Sequence, residues 1–352
     1  MRGSISKRES GSYRVRWHVG ERRYRSKSFR TKKEAEKFLS RIIDETHQGT
    51  YRDIKPASFE AFALKWLEAH GSSIRESTIK TYQVVINHHL VPFFGRTPLV
   101  VIGPDDVLKL LSQKKNLAPA TRNKIYTILS KMLSHAIRWG YLKLNPCKEV
   151  DPPRIPRKEM SFLTLEESQK LLLWLEREDP RYFAFFKTAL FSGMRQSEIL
   201  ALQWRDVNFS EGIIRVRRSI YQGKISELKS AHSFRQIPLS KSLAKTLKQH
   251  KLESIPSPWV FPSEKGTPLN PRNVVRRHFE PALEGAGVKK ISFHGLRHSC
   301  GAHLVAGGVH PKVIQAILGH SSISTTMNVY GHVMKSEFSH VAETLDRIHK
   351  KG

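Results

Sequence analysis

The apolar positions along this chain change period as the sequence proceeds, and each period predicts a different element. In residues 12–29, Tyr13, Val15, Trp17 and Val19 alternate with Arg14, Arg16 and His18, the two-residue repeat of a strand with one buried face. Gly20-Glu21 reads as a tight turn, and a second strand follows around Tyr24. Thr31 and Glu34 are spaced as a capping box, which opens a helix running to about Glu45. From residue 58 the repeat becomes helical. Phe59, Phe62, Trp66 and Leu67 share one helical face, as do Ile79, Tyr82, Ile86 and Leu90. Pro104 opens a third helix whose stripe is Val107, Leu108 and Leu111. Pro119 opens a fourth with Ile125, Ile128, Leu129, Met132 and Ile137, and Gly140 ends it.

Beyond that helical stretch, Pro146, Pro152, Pro153 and Pro156 sit among charged residues and predict a stiff, extended linker. Thr164 with Glu167 is a second capping box, and helical spacing continues to about residue 204. Ile213, Ile214, Val216, Ile237 and Leu239 then mark strands, and from residue 270 the pattern is helical again. The predicted class is an α+β multidomain protein. It has a small N-terminal β-sheet plus helix (1–55), an all-helical domain (58–146), a linker (147–160), and a mostly helical domain with a small antiparallel sheet (161–352). A chain of 352 residues suits two or three domains at about 150 residues each.

Charge narrows the partners. The formal net charge is +29, and segments 1–57, 58–146 and 147–352 contribute +9, +7 and +13. A cation excess in every segment predicts a polyanion that touches each of them. In the N-terminal segment, Arg14, Arg16, Arg23, Arg25 and Lys27 are expected to make a DNA-facing side of the sheet. No run of about 20 apolar residues is available to span a bilayer, so no membrane role is expected. Cys147 and Cys300 are the only cysteines. They lie far apart, outside any metal-ligand spacing, and read as reduced thiols of a cytoplasmic protein. The N-terminus has no apolar stretch to serve as a secretion signal.

Charge alone does not separate an enzyme from a repressor. Breaking a phosphodiester without a metal needs a nucleophile, an acid for the leaving oxygen, and fixed cations for the phosphoryl oxygens. The chain carries candidates in four local motifs. Arg195 follows Ser192-Gly193-Met194 at a predicted helix start, with Glu198 one turn on and able to brace either its backbone or its guanidinium. His294-Gly295-Leu296-Arg297 places an imidazole and a guanidinium at i and i+3, where both point the same way from a helix. Leu318-Gly319-His320 adds a second imidazole, and Tyr330 a phenol. Each motif alone is common. Their order along one chain is not.

Together these residues resemble the tyrosine recombinases of the phage-integrase family, and the likeness spans nearly the whole chain. Lys229-Ser230-Ala231-His232-Ser233-Phe234-Arg235-Gln236-Ile237-Pro238-Leu239 resembles that family's β-hairpin lysine segment. Lys224, Lys241 and Lys245 stand nearby. The resemblance implies that 1–55 binds arm-type DNA sites, 58–146 core-type sites, and that the last domain is catalytic. It implies Tyr330 as nucleophile giving a 3′-phosphotyrosyl link, Arg195 and Arg297 stabilising the phosphorane, and Lys229 protonating the leaving 5′-oxygen. His294 would give acid–base help to the tyrosine, and His320 would hydrogen-bond the phosphate. Family members often have Asp where Gly295 stands. The resemblance further implies a homotetramer on double-stranded DNA, integrating or excising a mobile element, with DNA-bending and directionality factors as helpers. No metal or cofactor is called for. Two alternatives stay open at this point: a type IB topoisomerase-like enzyme and a non-catalytic DNA-binding protein.

Overall fold

The computed structural model describes residues 3–18, 24–48, 54–71, 74, 76–156, 160–221, 223–227, 234–324 and 327. The chain divides into two compact units, Met1–Arg157 and Lys158–Gly352.

The first unit begins with a three-stranded antiparallel sheet, β1 (Gly3–Lys7), β2 (Tyr13–His18) and β3 (Tyr24–Phe29), in that order across the sheet. The sequence predicts β2 and β3. It misses β1, whose single apolar residue, Ile5, gives no alternation to read. Helix α1 (Lys32–His47) starts on the expected box: Glu34 N–H donates to Thr31 Oγ1, and Thr31 N–H donates to the Glu34 carboxylate. It packs on one sheet face through Val15, Trp17, Ala35 and Ile42, with Phe38 edge-on to Trp17 at 5.2 Å.

Helices α2 (Phe59–Gly71), α3 (Glu76–Val85), α4 (Val91–Phe94), α5 (Pro104–Gln113) and α6 (Pro119–Arg138) follow. They share a core that includes Phe59, Phe62, Trp66, Leu90, Leu110 and Met132. The stripe of α5 is Val107, Leu110 and Leu111. Leu108, expected in the core, is exposed, because i, i+3 and i+4 from Val107 pick out 110 and 111 instead. A wide π-turn at Ile86–Leu90 joins α3 to α4. It lies two residues before Pro92, which has no N–H to donate and would clash with a carbonyl one turn back in a regular helix.

The linker also starts later than expected. Residues Pro146–Glu149 form a short 3-10 turn, and Cys147 and Val150 are buried in the helical core. Tyr126 Oη donates to both their carbonyls, at 2.6 and 2.9 Å. Apolar burial and a phenol anchor outweigh the stiffness that the prolines impose.

The second unit is mostly helical: α7 (Leu165–Glu178), α8 (Pro180–Ser192), α9 (Gln196–Ile199), α10 (Lys241–Glu253), α11 (Pro271–Val274), α12 (Glu280–Gly285), α13 (Phe293–Ala306) and α14 (Pro311–Leu318). The Thr164–Glu167 box caps α7 as predicted. Strands β4 (Val207–Asn208), β5 (Ile213–Val216) and β8 (Arg235–Pro238) make one antiparallel sheet, ordered β4-β5-β8. Strands β6 (Arg218–Tyr221) and β7 (Lys224–Glu227) make a separate hairpin, which the sequence reading did not resolve. Phe293, at the first position of α13, packs on Phe185, Phe186 and Phe279. This aromatic nest fixes the start of α13 against α8, which carries the chain to Gly193.

Candidate active site

Helix α8 ends because Gly193 takes a left-handed conformation, φ 60°. A side chain there is strained, and its Cβ would lie 2.5 Å from Leu318 Cδ2 and 3.2 Å from Cys300 Sγ. Glycine lets three elements meet: the end of α8, the middle of α13 and the end of α14. Arg195 follows as the N-cap of α9. Glu198 braces it in both ways open to it, accepting from Arg195 N–H at 2.9 Å and from Arg195 Nη1 at 2.8 Å.

Helix α13 supplies His294 and Arg297 one turn apart. Arg297 is almost wholly buried, 2 % exposed, and its Nη1 donates to Gly193 O at 2.8 Å. Arg195 Nη2 donates to Gly319 O at 3.2 Å. Gly319 is the left-handed cap of α14, φ 66°, and delivers the chain to His320. Gln315 secures that turn, accepting from His320 N–H and donating to His320 O, both at 3.1 Å. Three motifs, the first lying more than a hundred residues from its hydrogen-bond partners, are thus tied into one site. The structure brings Arg195, His294, Arg297 and His320 together. Lys229 and Tyr330 lie outside the described residues. Of the nearby lysines, Lys224, Lys241 and Lys245 are exposed.

Electrostatics follow from this packing. His320 is pushed down to about 4, by burial first and then by Arg297 and Arg195. His294 is lowered by burial, then by the same two arginines. Both imidazoles are therefore neutral at physiological pH, so each offers one donor and one acceptor. Burial would raise Glu198, but hydrogen bonds from Arg235 and Arg195 overcome it and hold the carboxyl below its usual range. The result is a pair of guanidiniums beside neutral imidazoles, a combination suited to one anionic phosphodiester.

Two members of the site were not singled out from sequence. His298 lies edge-on to His294, 4.7 Å between ring centres, and is pushed to about 4 by burial, His294 and Arg297. Its place one turn after His294 was the available signal. Arg235 gave no such signal, because its partners are distant in sequence. Gly295, where an Asp is frequent in the resembled family, is closely packed. A Cβ there would meet Ile291 Cδ1 at 2.9 Å and Ser161 O at 3.1 Å. Its carbonyl instead accepts from Ser299 Oγ, which in turn accepts from Leu163 N–H. A cleft of about 240 Å3, lined by Phe234, Arg235, Lys312, Gln315 and His320, opens beside the site. A larger hollow of about 460 Å3 near Tyr182 and His250 holds none of the candidate residues.

The expected DNA-facing residues divide. Register pairs Arg14 with Ser28 and Arg16 with Ser26 on the open face of the N-terminal sheet. Arg25 pairs with Trp17 and Lys27 with Val15, which puts both on the face that α1 covers. Lys27 Nζ lies 5.3 Å from the centre of the Phe38 ring. Because Arg25 and Lys27 register with Trp17 and Val15 rather than with Arg16 and Arg14, the two sets lie on opposite faces. Arg23 lies outside the described residues.

Residues 161–337 match the model of the phage integrase family, and residues 58–124 match that of the phage integrase N-terminal SAM-like domain. The chain belongs to the phage integrase family. It is 26% identical to the ICEBs1 integrase of Bacillus subtilis (strain 168), over 97% of this chain and 99% of that protein. It is 31% identical to tyrosine recombinase XerC of Halalkalibacterium halodurans, over 76% of this chain and 90% of that protein. Among solved structures, the Tn1549 transposon integrase in complex with a circular intermediate DNA superposes with a TM-score of 0.72, at 18% identity, covering 81% of this chain and 99% of that one. A lambda integrase tetramer bound to a Holliday junction superposes with a TM-score of 0.65, at 20% identity, covering 93% and 95%. The integrase family assignment makes the chain a tyrosine recombinase, a site-specific DNA strand transferase, and does not favour the topoisomerase or non-catalytic alternatives. Among the described residues, no helix is long and apolar enough to cross a membrane, and no group of three or more His, Cys, Asp or Glu could hold a metal ion.

Proposed function

We propose that this integrase moves a mobile element by cleaving and rejoining DNA through a 3′-phosphotyrosyl intermediate, with Tyr330 as the nucleophile. Arg195 and Arg297 grip the non-bridging oxygens of the scissile phosphate as charge builds in the pentavalent state. The Tyr330 hydroxyl attacks phosphorus, the bond to the 5′-oxygen breaks, and Lys229 gives that oxygen its proton. A neutral His294 is able to take the proton that the tyrosine loses, and His320 donates a hydrogen bond to the phosphate. The bond energy is conserved in the phosphotyrosine. The 5′-hydroxyl of a partner strand reverses the step, and ligation needs no nucleotide cofactor.

The single observation that carries this reading is the pair of cross-ties, Arg297 to Gly193 O and Arg195 to Gly319 O. They hold together the elements that carry two cations and two imidazoles. The remaining domains are assigned to DNA. Residues 58–146 bind core-type sites, and residues 161–352 perform catalysis, in keeping with the two matched family segments. Residues 1–55 bind arm-type sites through the open sheet face, where Arg14 and Arg16 stand beside Ser26 and Ser28. Action as a homotetramer on DNA, with bending and directionality factors, completes the proposal.

A nicked suicide duplex tests it, built around the core sequence that the protein selects from random DNA. The wild type is expected to give a covalent protein–DNA band. Tyr330→Phe is expected to bind with similar affinity and give none. A band that persists in Tyr330→Phe, or none in the wild type, overturns the reading.

A further inference from the structure

We propose that Arg235 is a positioning residue that sets both the charge and the placement of Arg195, a role that rests on the assignment of Arg195 to the scissile phosphate. Arg235 is the first residue of β8, opposite Val216 of β5, and its side chain is 5% exposed. Its guanidinium bridges two elements. Nη1 and Nη2 donate to the two carboxylate oxygens of Glu198 at 3.2 and 2.8 Å, and Nε donates to Ile317 O at 2.6 Å.

Glu198 is the same carboxylate that braces Arg195. One buried anion is therefore shared by two guanidiniums. With Arg195 as its sole cationic partner, Glu198 would cancel the charge that the phosphate needs. With Arg235 also bound, the trio keeps one net positive charge, and Arg195 has its second fork edge turned to Gly319 rather than drawn wholly onto the carboxylate.

Placement follows the same logic. The last carbonyls of α14 have no partner inside the helix. Arg235 takes that of Ile317, and Arg195 that of Gly319. The turn that delivers His320 is thus clamped from both sides, and the clamps share Glu198. A closed circuit results: Arg195, Glu198, Arg235, Ile317, Gly319 and back to Arg195. A lysine could supply the charge at 235 but not a planar fork that serves two acceptor groups at once. In this arrangement Arg235 reaches Glu198 and the Ile317 carbonyl. It acts through Arg195 and the His320 turn.

The test is single-turnover cleavage by the full chain on the nicked duplex described above, made with either an ordinary scissile phosphate or a neutral methylphosphonate. Neutral phosphorus relieves the demand for cationic stabilisation, so a deficit that arises from a weakened Arg195 shrinks on it. Arg235→Met is expected to lose about 10²-fold on phosphate, the scale of one preorganised donor, and at least tenfold less than that on methylphosphonate, with DNA affinity unchanged. Arg235→Lys is expected to recover part of the phosphate rate, and it decides the matter alone should Arg235→Met fail to fold. Equal losses of both variants on the two substrates mean a packing role only and overturn the proposal, as does wild-type cleavage by either variant. A wild type that forms no covalent complex instead overturns the recombinase reading on which the proposal stands.

Discussion

The cations of the N-terminal sheet and those of the second unit are the same residue type held in opposite ways. Arg14 and Arg16 stand on an open face. Arg14 donates to Ser26 Oγ at 3.2 Å, and Arg16 lies 4.3 Å over the Tyr24 ring. Arg297 and Arg235 are buried, and Arg195 is tied to Glu198 and Gly319. A loosely held arginine adapts to whichever phosphate or base edge arrives, which suits binding. An arginine whose fork is fixed before substrate arrives needs no reorganisation during reaction, which suits catalysis. Fixation by preset partners, rather than charge count, separates the two roles.

That contrast predicts a graded series of effects. The largest fall on the caged cations. Arg297→Ala and Arg195→Ala are each expected to slow strand cleavage by about 10²–10³-fold, measured in single turnover. Arg297→Ala should also lower the melting temperature, because Arg297 ties α13 to the end of α8. Losses below tenfold at both positions would contradict the contrast.

Next comes the hinge on which the cage turns. Gly193→Ala forces a side chain into a left-handed backbone and against Leu318 and Cys300. It is expected to cost about 1–3 kcal/mol of stability, read by denaturant unfolding, and to reduce cleavage with it. Gly287, also left-handed but with nothing within 4 Å of its Cβ, serves as the control for backbone strain alone, and its Ala variant should cleave normally.

Much of the second unit's site was legible because each motif carries its own local geometry. The Arg195–Glu198 spacing matches an N-cap and its third helical residue, and His294 with Arg297 spans one turn. Such i, i+3 relations are visible along a chain. Arg235 was not legible as a partner of Glu198, since a buried ion pair across 37 residues leaves no periodic trace. The sheet shows the reverse failure. Counting basic residues in β2 and β3 suggested one cationic face, but strand alternation and the Val15–Lys27 register divide it. Strand β1, with only Ile5 apolar, offered no pattern. Arg218, which opens β6, pairs with the buried Asp206, another polar contact that leaves no periodic trace.

Smaller effects belong to the open face. Arg14→Gln and Arg16→Gln are expected to reduce the salt slope of DNA binding by about one each, while cleavage of a substrate carrying only a core site stays within twofold. Arg25→Gln, on the covered face, should change the slope less. A larger effect at Arg25 than at Arg14 would reverse the assignment of faces.

A separate effect concerns protons. His298 and His320 both sit at about 4 against an ordinary 6.5, so between those values the unfolded chain binds protons that the folded chain refuses. Stability is full above pH 6.5 and declines as pH falls towards 4. The melting temperature should drop over that window, and less steeply in His298→Asn. A flat profile would show that these imidazoles are not held neutral by the fold.

The most direct measurement maps the covalent bond. The adduct trapped on the nicked duplex is digested with protease and nuclease, and the nucleotide-bearing peptide is identified by mass spectrometry. Cleavage by the proposed route leaves a 3′-phosphate on the Tyr330 side chain and a free 5′-hydroxyl on the released strand. A nucleotide attached to any other residue, or joined through its 5′-phosphate, contradicts it.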